Sequence, residues 1–175
     1  MGRPRSTYWY AIKVFHNRVE QIRDDFRGDR YETYYPFLVE EKFENSGVKY
    51  VEKPVMPSLL FVRCPEKYLI GFKNSHDSEM MFYSEPGSRL PGKINDREME
   101  MFKAATSVSD KDTVFLGSDT ERYCVGDKVL VTDGMYKGLE GYVKRIRHSR
   151  RVLVSIKGIA VVALSNIHPS YLKKI

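Results

Sequence analysis

Glycines set among β-branched residues between positions 125 and 143 restrict this chain more than any other feature. The stretch reads Val125-Gly126-Asp127-Lys128-Val129-Leu130-Val131-Thr132-Asp133-Gly134-Met135-Tyr136-Lys137-Gly138-Leu139-Glu140-Gly141-Tyr142-Val143. Gly126-Asp127 starts a strand from a turn, and the alternation of Val129 with Val131 points one face of that strand inward. Gly134, Gly138 and Gly141 permit positive φ and close backbone approach around a hairpin. Short strands are predicted over 128–132, 139–147, 151–157, 160–164 and 171–175, with no helix signal among them. That density of short strands and turns reads as a small β-barrel.

The front of the chain has a different character. Residues 8–15 (Tyr-Trp-Tyr-Ala-Ile-Lys-Val-Phe) read as a strand, behind a basic arm over 1–7. Asn17 followed by Glu20 has the spacing of a capping box, and a helix with Val19, Ile22 and Phe26 on one face should run to Gly28. Residues 31–43 and 48–64 read as the arms of a hairpin turning at Asn45-Ser46-Gly47, the second arm broken by Pro54 and Pro57. A short helix is predicted after Pro65 with Tyr68, Leu69 and Phe72 on one side, then a strand over 79–84. A last helix is expected from Asn95, with Met99, Phe102 and Ala105 facing a core. This is an α+β half built on an antiparallel sheet. The polar stretch around the Val114-Phe115-Leu116 island reads as a linker, so the expected division is 8–107, a linker over 108–122, and 123–175.

Composition excludes several classes. The longest apolar runs, Leu59–Val62 and Ile159–Leu164, fall far short of the ~20 residues of a membrane span, and the basic start has no apolar run behind it to serve as a secretory signal. Cys64 and Cys124 alone build neither a zinc cluster nor a disulfide framework. His16, His76, His148 and His168 lack metal-ligand spacing, Gly134–Gly141 lacks the Lys-Ser/Thr of a phosphate loop, and Glu40-Glu41 point to opposite strand faces. The chain reads as a non-enzyme without metal or cofactor. Charge is uneven: from Arg122 onward there are 11 Lys and Arg against 3 Asp and Glu, a local +8 within a total of +6. A basic back half attracts polyanions.

The glycine pattern resembles the KOW motif, shared by ribosomal proteins and transcription elongation factors of the NusG family. The front half resembles the amino-terminal (NGN) domain of that family: Trp9-Tyr10 on the first strand, the helix after it, then Met56-Pro57-Ser58-Leu59-Leu60-Phe61-Val62 in the place of a Phe-Pro-Gly-Tyr-like turn and its strand. Met56 for Phe and Ser58-Leu59 for Gly-Tyr look like a specialised paralogue, RfaH-like or UpxY-like, as does the loop through Glu85-Pro86-Gly87 and Leu90-Pro91. The resemblance implies an α+β NGN domain followed by a small all-β SH3-like barrel. It implies a cytoplasmic, monomeric transcription elongation and antitermination factor, of the kind that serves polysaccharide operons.

In that family an apolar patch of the NGN domain grips the clamp-helix coiled coil of the largest RNA polymerase subunit. By motif position the patch would comprise Pro57, Leu59, Phe61 and Phe82 with Tyr10 and Lys13 beside it. Strand alternation leaves Tyr10 and Phe61 equally able to face a core, whereas Leu59, just after the turn, is expected to be exposed. Contact with non-template DNA would fall to His16, Arg18, Lys67, Tyr68 and Lys73 around the two helix starts, each also readable as an ordinary solvated helix face. Lys144, Arg145, Arg147, Arg150 and Arg151 would let the barrel touch nascent RNA, Rho or the ribosome. The many β-branched residues of this half predict a plain barrel rather than the helical hairpin RfaH can form. The competing expectation is a ribosome-associated RNA-binding KOW protein; an enzyme that borrowed both modules is the weakest reading.

Overall fold

Tyr10, Ile12 and Val14 alternate along the first strand, β1 (Tyr8–Val14), and all three are buried. In the computed structural model, which describes residues 6–85, 87–107, 113–117, 126–146, 148–156, 158–164 and 167–175, this strand lies inside a four-stranded antiparallel sheet ordered β2-β5-β1-β6. The partners are β2 (Glu32–Tyr34), β5 (Leu59–Cys64) and β6 (Met80–Phe82). On one face, Tyr10, Ile12, Val14, Leu60, Val62, Cys64 and Met80 form a core with Val19, Ile22 and Phe26 of α1 (Val19–Gly28) and Leu69 of α2 (Glu66–Ser75). The helical spacing of those three α1 residues is what lets one stripe meet the sheet. Phe26 lies 4.4 Å from Phe72 and Tyr31 4.4 Å from Tyr68, ring centre to ring centre, extending the core across α2.

Two expected features take another form. No side chain caps α1: Arg18 occupies the cap position, while His16 and Asn17 both adopt left-handed conformations (φ 57° and 56°). The connection from β1 is so short that Asn17 serves the turn instead of the helix terminus. The strand predicted over 31–43 is two strands, because Pro36 has no N–H to offer a ladder. Its second part, β3 (Phe37–Glu44), pairs with β4 (Gly47–Pro54) as a separate hairpin around Asn45-Ser46.

The chain falls into two compact units, Met1–Pro36 with Met56–Asp96, and Phe37–Val55 with Arg97–Ile175. The second contains the β3–β4 hairpin and most of α3 (Asp96–Ser107), whose Met99, Phe102 and Ala105 are buried as their spacing predicts. It also holds a six-stranded antiparallel sheet ordered β12-β8-β9-β10-β11-β7. Here β8 (Asp127–Val131), β9 (Glu140–Ile146), β10 (Ser149–Ile156), β11 (Ala160–Ala163) and β12 (Leu172–Lys174) realise the five predicted strands. The sixth, β7 (Val114–Gly117), corrects the expected linker: the Val114-Phe115-Leu116 island pairs with β11 as an edge strand. Residues 1–5, 108–112 and 118–125, the rest of the expected arm and linker together with Cys124, lie outside the described residues.

Gly141 shows why this sheet needs its glycines. A Cβ there would overlap the Leu153 carbonyl and sit 2.7 Å from Val152 Cγ1. Gly141→Ala should therefore destabilise the C-terminal sheet by about 1–3 kcal/mol through overpacking, read as a lowered midpoint in thermal unfolding followed by circular dichroism.

Candidate functional site

The register of the amino-terminal sheet decides which side chains share a surface. Lys13 pairs with Leu59 on one side and Met81 on the other, so these three point to the same face, together with Trp9, Ala11 and Phe61. Ile12 pairs with Phe82, so Tyr10 and Phe82 point the opposite way, toward α1 and α2. The six residues expected to form one patch therefore divide between two faces.

Burial corrects the expectation further. Leu59, Phe61 and Tyr10 are all 0% exposed, and Leu59 does not emerge after its turn. The cause is the position of β5 between β2 and β1: an interior strand with apolar residues on both faces is covered on both. The Tyr10 hydroxyl has no hydrogen-bond partner among the described residues, and burial first, then Glu66, pushes its pKa above the ordinary tyrosine value. Phe82 is half-buried against the helix-side core.

At the Lys13 end of the sheet this face stays open. Lys13 is exposed, its ammonium 5.8 Å from the centre of the Phe15 ring. Met81 beside it is 48% exposed. Pro57 is exposed, and its carbonyl accepts a hydrogen bond from the Tyr35 hydroxyl at 2.9 Å. Met81 is absent from the sequence-based set, although its place between Met80 and Phe82 in a strand already implies that it faces away from them.

The basic candidates also separate. Arg18 is paired with Glu79, and Lys73 with Asp77 four residues on. The Tyr68 hydroxyl donates to Asp29, and its ring packs against Tyr31 and Phe26. Burial, followed by that bond to Asp29, raises the Tyr68 pKa. Tyr68 is thus a packed residue and not a free stacking platform. His16 and Lys67 are exposed. In the C-terminal sheet, Arg145 lies directly opposite Arg150, and Lys144 opposite Arg151. Arg145 and Arg150 are exposed; Lys144 and Arg151 are half-buried, with an Arg151 guanidinium nitrogen 3.5 Å from the Leu164 carbonyl. Arg147 lies outside the described residues.

Among the described residues no three His, Cys, Asp or Glu side chains gather as a metal site. The Cys64 thiol is buried, and desolvation pushes its pKa up to about 12, which leaves it protonated and unreactive. No helix among the described residues is long and apolar enough to cross a membrane.

Residues 7–103, more than half of the chain, match the family described as transcription termination factor nusG. Among solved structures the chain is similar to one described as "Domain interaction in Thermotoga maritima NusG". The two are 20% identical, with 97% of this chain and 98% of that chain covered and a TM-score of 0.49. No curated protein matches the chain.

The two faces of the sheet predict different responses to substitution. Leu59→Ala should cost about 2–5 kcal/mol as a buried truncation, whereas Lys13→Ala should stay within about 0.5 kcal/mol. Urea unfolding monitored by Trp9 fluorescence distinguishes them. Equal effects would mean that Leu59 is not core.

Proposed function

Because the chain belongs to the NusG family of transcription factors, we propose that it acts in transcription elongation and antitermination, binding RNA polymerase and suppressing pausing or termination. The amino-terminal module, 8–107, makes the polymerase contact on the clamp helices. The C-terminal module, 123–175, contacts nascent RNA or a protein such as Rho or a ribosomal component. Met56 and Ser58-Leu59 at the motif turn support a specialised, operon-specific paralogue of the UpxY or RfaH kind. Proteins of this family are transcription factors, and this one is read as a non-catalytic, cytoplasmic monomer.

The observation that carries the polymerase reading is the open end of the sheet, where Met81 and Lys13 stand side by side. A paired-helix partner presents an apolar ridge flanked by charges. A thioether that adapts its shape, next to a lysine, suits such a ridge. The buried Leu59 and Phe61 hold the strands that present this strip and do not touch the partner themselves.

Met81→Asp should abolish capture of purified core RNA polymerase while leaving the melting temperature of the chain unchanged, and Lys13→Glu should weaken capture further at low salt than at high salt. Full retention by Met81→Asp would remove this surface from the contact. If the chain instead captures ribosomal RNA and no polymerase, the ribosome-associated reading replaces this one. Pausing assays on a defined template, with and without the protein, then measure the activity itself.

A further inference from the structure

The C-terminal sheet carries two successive rungs of like charge. Arg145 faces Arg150 and Lys144 faces Arg151, on adjacent strands whose directly opposed Cβ atoms stand only ~4.5–5.5 Å apart. Such pairs repel, and a sheet normally intersperses acids to relieve them. Here residues 141–164 contain no Asp or Glu at all. The acids at the starts of β9 and β8 are already engaged: Glu140 with Lys128 at 3.2 Å and with Arg97, and Asp127 with Lys174 at 2.7 Å. Among the described residues no carboxylate pairs with Arg145 or Arg150.

A groove of about 250 Å³ opens beside this pair. The register places Val143 between Asp127 and Val152, and Lys174 beside Val129, so one face of the sheet supplies most of the lining, with Ile167 and Pro169 beside it. Val143 and Leu172 give it a half-buried apolar wall over the buried Val129 and Val152, and Arg150, Asp127 and the Lys174 that pairs with Asp127 line it as well. The volume falls below the ~300–1,000 Å³ of pockets that take a whole drug-sized ligand. It accommodates a single ring system, too small for a helix or a hairpin. An apolar slot lined by the Arg150 guanidinium, with Arg145 directly opposite Arg150 on the same face of the sheet, matches a flat base joined to a phosphate. A stacked duplex cannot offer that base, whereas a single strand can. The rim carboxylate of Asp127 would repel a phosphate but accepts a hydrogen bond from a ribose 2′-hydroxyl, which DNA lacks.

We propose that this groove holds one unstacked nucleotide of single-stranded RNA, with its phosphate between Arg145 and Arg150 and its base on the half-buried Val143 and Leu172. This deepens the proposed contact of the C-terminal module and rests on that part of the reading alone. Polymerase docking through Met81 is measured separately, so either can fail without the other.

The test is fluorescence anisotropy of the full chain with a labelled short oligoribonucleotide, its deoxy counterpart, its duplex, a version made abasic throughout, and a poly-glutamate peptide. Single-stranded RNA should bind tightest, and the abasic strand about tenfold more weakly for want of base contacts. The double variant Arg145→Gln/Arg150→Gln should lose about tenfold in RNA affinity and flatten the salt dependence by ~0.7 per phosphate contact removed. Its melting temperature should not fall, because the variant removes a repulsive rung. Undiminished RNA binding by that variant overturns the proposal. So does equal binding of the abasic strand, the deoxy strand, the duplex or poly-glutamate.

Discussion

The pairing of β5 with β1 is the contact on which the amino-terminal half depends. Six residue pairs, from Tyr8 with Cys64 to Lys13 with Leu59, join strands that are distant in sequence. Every residue of β5 except Arg63 is buried, so this strand must lie inside the sheet with both faces covered. Burying side chains such as Leu60, Phe61 and Val62 contributes about 1.5–3 kcal/mol each before chain entropy is counted. The helices α1 and α2 then have a flat apolar face to rest on, and β2 and β6 have edges to pair with. The placement of Tyr10, Lys13, Leu59 and Phe61 follows from that ladder.

One consequence is a division of labour between neighbours. Alternation sends Tyr10 and Phe82 to the helices and sends Leu59, Phe61 and Met81 to the other face. That face reaches solvent at Lys13 and Met81 at one end of the ladder and at Arg63 and Glu32 toward the other, where the two are paired. A surface suited to a partner therefore arises at the margin of the core, where packing stops, and the core residues behind it keep its strands in place.

The two halves also handle charge differently. In the front unit basic residues at the helix ends are held by local acids, as in Arg18 with Glu79 and Lys73 with Asp77, and such exposed pairs contribute little energy or recognition. In β9 and β10 the cations face one another without interspersed acids. Opposed guanidiniums at the Arg145–Arg150 rung, on the face where the apolar groove lies, favour an anion there.

Much of this was legible from local pattern. The spacing of Val19, Ile22 and Phe26 announces a helix, and the glycines from Gly126 to Gly141 announce tight strand connections. The uninterrupted run Leu59–Val62 also carries the signature of a strand covered on both faces, which argues against exposure of Leu59. Other features were out of reach. Asn17 has the right neighbour for a cap but is used by the turn, and the Val114–Leu116 island sits in polar surroundings yet pairs with β11. The chain's own order of residues determined periodicity, turn positions and the excess of positive charge in the C-terminal half, because those depend on neighbours a few positions apart. Tertiary structure alone decided that Met81 stands beside Lys13, because the register between strands far apart in sequence is a choice that no local spacing encodes.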